Sequence, residues 1–517
     1  MANHFVGCER GQLLLMPPSL TEWLPDDHLV WTVLGAVEQM DLDRFYAGYQ
    51  LGGAGRPAYD PAMLVALLLY AYARGNRSSR AIERECLEDV AYKVITTMRM
   101  PDHSTIAEFR KRHEVEIGEL FEGVLDLCRE AGLVSVGVIA IDGTKIKANA
   151  SIDANRTYRQ VVIDILREAD EIDCLEDELY GDARGDELPE QLRTAEARKQ
   201  ALREAKQRLA ERKARAAEQE QDDGESASVE VDLDPERFVT RSWGRRNWLR
   251  EARRELERQR ERQQRPVPRD RDERLLEAAR RLEENLQVEI AANDVYERWR
   301  SEGTTRYRSS RRSPGGATNP YVPPELPEGR INTSDPDSRV MRTQRQPLIQ
   351  GYNAQAAVNE NQIIVAAEVN VDPPDFGHLE PMLNAVRREL ANVGIDQLPE
   401  AVVADAGYWH KAQMQRITEA GIELLVPPDG GKREGTRPGW NDGLYEQMRD
   451  KLSTDYGKQL YQQRTTTIEP VFGQIKFNRR IDRFLRRGRA AARSEWRLTT
   501  ATHNLLKLHS HWIANTG

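Results

Sequence analysis

Four cysteines in 517 residues, Cys8, Cys86, Cys128 and Cys174, are too few and too scattered for a disulfide framework, and none forms a C-x-x-C pair of the kind that holds zinc. Such a chain suits a reducing cytoplasm. Long apolar runs are missing too. The longest, Ala62 to Ala73, falls short of the roughly 18 to 20 residues a membrane span needs, and the N-terminus has no secretory leader pattern, so no membrane partner is expected. Nor is there an overall excess of positive charge: 75 basic residues against 84 acidic give a net charge of -9, which at first argues against a nucleic-acid partner. Totals hide segmentation. Between Lys476 and Arg497 nine basic residues face two acidic ones, a footprint suited to phosphate. With 31% charged residues and a mean hydropathy of -0.69, some segment must be nearly all solvated surface.

What is present centres on Val136 to Ser151. Its apolar, partly β-branched run stops at Asp142-Gly143 and reads as a buried strand with a carboxylate at its mouth. A continuous apolar strand belongs in a sheet covered on both faces, so that aspartate sits where a wall of a site can form. A second short apolar strand, Ala401 to Ala404, stops in the same way at Asp405-Ala-Gly-Tyr. Small residues follow both aspartates and let a ligand approach. Adjacent parallel strands would bring the two carboxylates together, and a hard divalent cation resolves their repulsion: Mg²⁺, with Mn²⁺ as the alternative. Two such ions roughly 3.5 to 4 Å apart are the arrangement for in-line attack at a phosphodiester.

The N-terminal part, residues 1–133, is predicted to be helical, with helices near 27–40, from Asp60 and Pro61 onward, and over 79–88, 105–113 and 115–131. Thr105-x-x-Glu108 is a capping box. Arg74, Arg77, Arg80, Arg110, Lys111 and Arg112 are expected on the surface, either as a helix-turn-helix-like DNA-binding face or as a solvated basic face. Residues 155–305 are dense in Arg, Glu, Lys and Ala, and 155–339 is the expected extent of an insertion with its linker. They predict a long helical insertion resembling a coiled coil: Gln191 to Gln221 with Leu202 and Leu209, turns at Asp222 to Ser228 and Pro266/Pro268, a stripe of Leu275, Ala279, Leu282, Leu286 and Ile290, and a linker from Ser301 to Arg330. Its charges read as a solvated face, and Trp243 and Trp248 as packing within it. The sheet resumes with GYNAQAAV and QIIVAAEVN as a hairpin, a helix from Pro381 to Asn392, the Asp405 strand, a helix over 410–420, a strand over 422–427 and a helical C-terminal region. The fold class is therefore α/β, an RNase H-like mixed-sheet core made of residues 134–154 and 340–517.

Glu469 is the third candidate ligand because of its company. Tyr461, Arg464, Glu469 and Lys476 fall in one predicted helical region, with Pro470 implying a start or a kink there. Glu469 and Lys476, two turns apart, share a face to within roughly 20°. Arg480, Arg483 and Arg487 continue that face at spacings of four, three and four. Asp372 and Asp375, in the Pro-rich turn VDPPDFGH, compete for the second aspartate position and rank below Asp405. His103, His378, His503, His509 and His511 read as structural or surface histidines.

The blocks IDGTKIKANAS, GYNAQAAV, VVADAGY and RTTTIEPVFGQIK, in this order, resemble the bacterial insertion-sequence DDE transposases, and PDHSTIAEFRKR resembles their InsH-type N-terminal domain. The resemblance implies that Asp142, Asp405 and Glu469 are the catalytic, metal-binding triad. It also implies that Tyr461, Arg464 and Lys476 belong to a Tyr-Arg-Glu-Lys signature at the DNA. Four residues separate Arg464 from Glu469 where the stricter pattern has three. The implied activity is Mg²⁺-dependent cleavage and strand transfer on the element's terminal repeats and target DNA, by a homodimer associated with the cytoplasmic nucleoid. A structure-selective nuclease and a silent, transposase-derived DNA-binding protein are the rival readings.

Overall fold

A computed structural model describes residues 19–47, 49, 58–168, 245–263, 265–268, 270–306, 321–343, 348–428 and 443–516. The hub of its sheet is β5 (Ile349–Val358), all ten residues of which are buried. Along one edge runs β1 (Val138–Lys147), antiparallel, with Ala140 opposite Val358 and Lys147 opposite Gly351. The other edge is shared between β4 (Arg339–Met341), on the first residues of β5, and β6 (Ile364–Asn370), on the rest, both antiparallel. Beyond β1 lie β7 (Ala401–Ala404) and β8 (Glu423–Leu425), each parallel to its neighbour. The sheet is mixed, and its lateral order is β6-β5-β1-β7-β8. The expected hairpin is the β5–β6 pair. Its turn is closed by the Asn359 side chain, which accepts from the N–H groups of Asn361 and Ile363.

Among the described residues seven α-helices precede the sheet: α1 (Leu29–Gln39), α2 (Asp43–Tyr46), α3 (Pro61–Ala73), α4 (Ser79–Glu88), α5 (Val90–Thr96), α6 (His103–Arg112) and α7 (Glu114–Glu130). Asp60 caps α3 with Pro61 in its first position, as the sequence predicts. The capping box does not form. Asp102 caps α6 instead, accepting from the Thr105 N–H at 2.7 Å, so the helix begins at His103, two residues before Thr105. Arg77, expected on the surface, is buried. It donates to the Arg483 carbonyl at 2.6 Å and to Glu495 at 2.8 Å, which ties α3–α4 to the C-terminal region.

Between β1 and β4 the chain leaves and returns through a two-stranded ladder, β2 (Asn155–Thr157) against β3 (Arg330–Asn332). From there α8 covers 158–168, and α9 (Arg245–Gln263) and α10 (Arg271–Arg306) form an antiparallel pair. The expected helix over Gln191 to Gln221, the turn at Asp222 to Ser228 and Trp243 lie outside the described residues. The apolar stripe of α10 changes partner along its length. Leu275, Ala279 and Leu282 pack on Tyr158, Val161 and Ile165 of α8. Leu286 and Ile290 are only half-buried, because past that point the seam belongs to Val288, Ala292, Val295 and Tyr296 against Trp248, Ala252 and Leu256 of α9. Trp248 meets Tyr296 edge to face, in line with the packing role expected of it. Nor are all its charges solvated. At the root of the pair Arg281 binds Asp337, and Glu257 meets Arg260, Arg339 and Arg489 at 2.8, 3.0 and 3.1 Å.

Downstream lie α11 (Leu379–Asn392), α12 (Lys411–Glu419), α13 (Leu444–Ser453), α14 (Asp455–Gly473) and α15 (Arg489–Thr516). The last packs along α7 and β6, and Arg497 on it binds Glu389 of α11, Glu122 of α7 and the Gly118 carbonyl. One continuous apolar cluster runs from the N-terminal helices through the sheet. No helix among the described residues is long and apolar enough to cross a membrane.

Candidate active site

Register brings the first two carboxylates together. Ile141 of β1 stands opposite Ala404 of β7 in the parallel pair, so Asp142 and Asp405 are the next residues on two adjacent chains; Asp405 follows the end of β7, but β1 does not stop at Asp142 as the sequence predicts, because its pairing with β5 carries it on to Lys147. Asp142 takes a hydrogen bond from the Gly143 N–H at 2.8 Å. Asp405 caps the short turn Ala406–Tyr408 by accepting from the Gly407 N–H at 2.9 Å. Burial pushes the Asp142 carboxyl up to about 7. The Arg464 guanidinium opposes that rise, while Asp405 and Asp375 add to it. The Asp405 carboxyl is also raised, by burial and then by Asp375.

Glu469 reaches the pair through a cation. Arg464 donates to Asp142 Oδ2 at 2.7 Å and to Glu469 Oε1 at 3.1 Å, bridging β1 and α14. Tyr461 lies one turn earlier with its ring 5.9 Å from the guanidinium carbon. With Arg464 inserted, no group of three His, Cys, Asp or Glu among the described residues is arranged to hold a metal ion. Glu469 itself is 46% exposed.

Pro470 neither starts nor stops the helix, for α14 runs through it. Proline lacks the N–H that the Thr466 carbonyl would accept, and the Gln362 amide of the β5–β6 turn supplies the missing donor at 2.9 Å. After α14 a π-helical turn, Gln474–Asn478, carries Lys476, whose ammonium donates to the Lys145 carbonyl at 2.9 Å. The continuous basic helix face expected from Lys476 through Arg480, Arg483 and Arg487 is not there. At Arg480 the backbone turns left-handed with φ 55, and Phe484 N–H then bonds the Lys147 carbonyl, laying the segment beside the end of β1. Ile481 and Phe484 are buried in between, which keeps Arg480, Arg483 and Arg487 on the surface by alternation rather than by helical spacing.

Sequence reasoning undervalued Asp375. Its Oδ1 accepts from Asn353 and Gln355, each at 2.8 Å, and from Lys145 at 3.1 Å. A Cβ on Gly143 would overlap its carboxylate, and one on Gly407 would lie 3.6 Å from its Oδ2. The small residue after Asp142 therefore makes room for a side chain of the protein itself, whereas at Gly407 the close neighbour is the Asp405 carboxylate, 2.9 Å from such a Cβ. Gly143 was the available signal. Asp372 stays outside this group and pairs with His378 at 3.4 Å. His103 pairs with Glu83, and His503 is buried against the Gln362 carbonyl.

The turn that carries Asp375 also floors a groove of about 1270 Å³ between α9 and the sheet side of α11. Ten arginines against five carboxylates line it, Arg250, Arg253 and Arg254 from α9 and Arg388 from α11 among them, which makes it positive in a chain that is negative overall.

Residues 18–112 match the family described as "Transposase domain (DUF772)", and residues 430–509 match "Transposase DDE domain". The second match covers Glu469, Arg464 and the basic segment after them, while Asp142 and Asp405 lie outside both. No curated protein and no solved structure matches the chain.

Proposed function

We propose that this chain, an insertion-sequence DDE transposase by its two domain matches, cuts and joins DNA at a centre formed by Asp142, Asp405 and Glu469. The observation that carries the reading is the placing of Asp142 and Asp405 side by side where the parallel pairing of β1 and β7 runs out, with Arg464 linking Asp142 to Glu469. The lateral order β6-β5-β1-β7-β8, antiparallel on one side of β1 and parallel on the other, supports an RNase H-like core. Asp142, Asp405, Asp375 and Glu469 outnumber the cations beside them, Arg464 and Lys145, by two charges. Hard oxygen donors with that excess fit a divalent cation such as Mg²⁺, with Mn²⁺ as its substitute.

A cation bound there supplies activation of the attacking oxygen and charge stabilisation of the leaving one. The protein's own groups do the rest. Asp142, Asp405 and Glu469 would be its oxygen donors, and Arg464, which now bridges Asp142 and Glu469, would have to leave them. Released from Asp142, its guanidinium is a fork matched to a phosphate. Lys476 stands behind β1 as a second cation. Arg480, Arg483 and Arg487 hold backbone phosphates from the surface, and the arginine-lined groove extends that path. Tyr461 offers a ring on which an unpaired base can stack. Two ends must be paired for transfer, so a homodimer is the working assembly.

Purified protein, Mg²⁺, its flanking terminal repeats and a target plasmid form the test. Strand-transfer products that vanish in Asp142→Asn support the reading. Cleavage without joining would make the protein a nuclease, and end binding with no chemistry would sink both.

A further inference from the structure

We propose that Asp375 is a positioning residue for this centre, one carboxylate that ties β1 and β5, within their lengths, to the turn that follows β7, so that Asp142 and Asp405 face a common point. The proposal rests on the transposase reading above. Three donors converge on its Oδ1: Lys145 from β1, and Asn353 and Gln355 from β5. The third link runs through Gln355, whose Oε1 accepts the phenol O–H of Tyr408, in the turn that Asp405 caps. Both Tyr408 and Gln355 are fully buried, so this link has no competing water. Lys145 lies three residues beyond Asp142 on the same strand, and Gly143 between them stands opposite Gln355 in the β1–β5 register. Asp375 thus touches the strand on the far side of the Asp142 peptide and the turn beyond Asp405 through one hydrogen-bonded intermediary.

Its surroundings are built for this. The neighbours Pro373, Pro374 and Phe376 are exposed, yet the Asp375 side chain is only 18% exposed and points back under the turn. Gly143 leaves the space it fills. Hydrogen bonds to an ionised acceptor are about twice as strong as neutral ones, and an asparagine there would keep the shape while losing that charge. Groups that orient metal ligands from behind typically change metal affinity or turnover by about 10- to 100-fold when replaced.

The test uses the full-length protein and three variants: Asp375→Asn, Lys145→Met and the double. Mn²⁺ affinity is titrated by calorimetry without DNA, and cleavage of terminal-repeat DNA is followed with kcat and KM separated. Asp375→Asn is expected to keep the wild-type melting midpoint to within a few degrees and its KM for DNA, while Mn²⁺ affinity and kcat each fall about tenfold or more. Lys145→Met is the discriminating arm. Removing a positive charge should by itself tighten Mn²⁺ binding, so weaker binding in that variant identifies lost positioning, and the double variant should be no worse than Asp375→Asn alone. An Mn²⁺ affinity and kcat unchanged in Asp375→Asn would overturn the proposal, as would losses that merely follow a fallen melting midpoint. Wild-type protein that binds Mn²⁺ without cutting DNA would sink the transposase reading, while the affinity ratio would still decide the role of Asp375.

Discussion

Single residues take their properties from their surroundings, and Asp142 is the sharpest case. Its carboxyl ionises near 3.8 in an unstructured chain and near 7 in the fold, mainly because burial disfavours the anion. Between those values the unfolded chain has released a proton that the folded chain still holds. Stability of the metal-free protein is therefore lost as pH rises from about 4 to about 7 and is flat, on this account, outside that window. The melting midpoint of the wild type, measured from pH 4 to 8 in chelator and compared with Asp142→Asn, should decline relative to the variant across that span. A difference that is constant or climbs with pH would refute the assignment. Asp335, raised to about 6, titrates in the same sense, but it is present in both proteins and cancels in the comparison. At this scale the placing of Asp142 and Asp405 was legible, because each ends an apolar run; that β1 continues past Asp142 was not, because its later residues are held by pairing with β5 and not by burial of an apolar run. Asp375 was not. Its importance comes from hydrogen bonds with residues on two strands, and a Pro-rich turn carries no periodicity that points to them.

At the scale of elements, sequence patterns located most helices and strands, and erred where a neighbour decides the outcome. The helix through Pro470 persists because a distant turn supplies a donor to Thr466. The basic stretch after Lys476 leaves the helix because Ile481 and Phe484 find the core. The second half of α10 shifts its buried stripe because its partner changes. Polar contacts of the same long-range kind hold α15 to the sheet. Asn504 takes the Ile364 N–H with its Oδ1 and gives its Nδ2 to the Ile364 carbonyl, each at 2.8 Å, acting as one more rung of ladder for β6. Asn504→Ala strands two buried backbone groups and should cost about 2 to 3 kcal/mol. The check is the midpoint of urea unfolding, and a change below about 0.5 kcal/mol would mean that the helix and strand are held by apolar packing alone.

Across the whole molecule, charge is sorted rather than spread. The chain carries -9 in total, yet the arginine-lined groove beside the Asp375 turn and the surface arginines Arg480, Arg483 and Arg487 are both positive. A DNA strand drawn toward the carboxylates would meet these surfaces first. Reversing Arg250 and Arg254 to Glu should weaken binding of terminal-repeat DNA and lower the slope of log affinity against log salt by about one unit for each phosphate no longer neutralised. Fluorescence anisotropy at several salt concentrations measures both, and an unaltered slope would remove the groove from the DNA path. The composition announced the acidic total but not this sorting, which depends on an insertion folding back beside the sheet.

The ladder of β2 and β3 has a consequence for how such a chain tolerates change. The chain leaves β2 at Thr157 and comes back at Arg330 of β3, across a pair of neighbouring strands with Asn155 facing Asn332. Loop-closure entropy grows only slowly with length, so residues added to or removed from the chain between these two strands have little effect on the register that sets Asp142 beside Asp405. The paired carboxylates and the chain between the two short strands can then follow separate histories within one polypeptide.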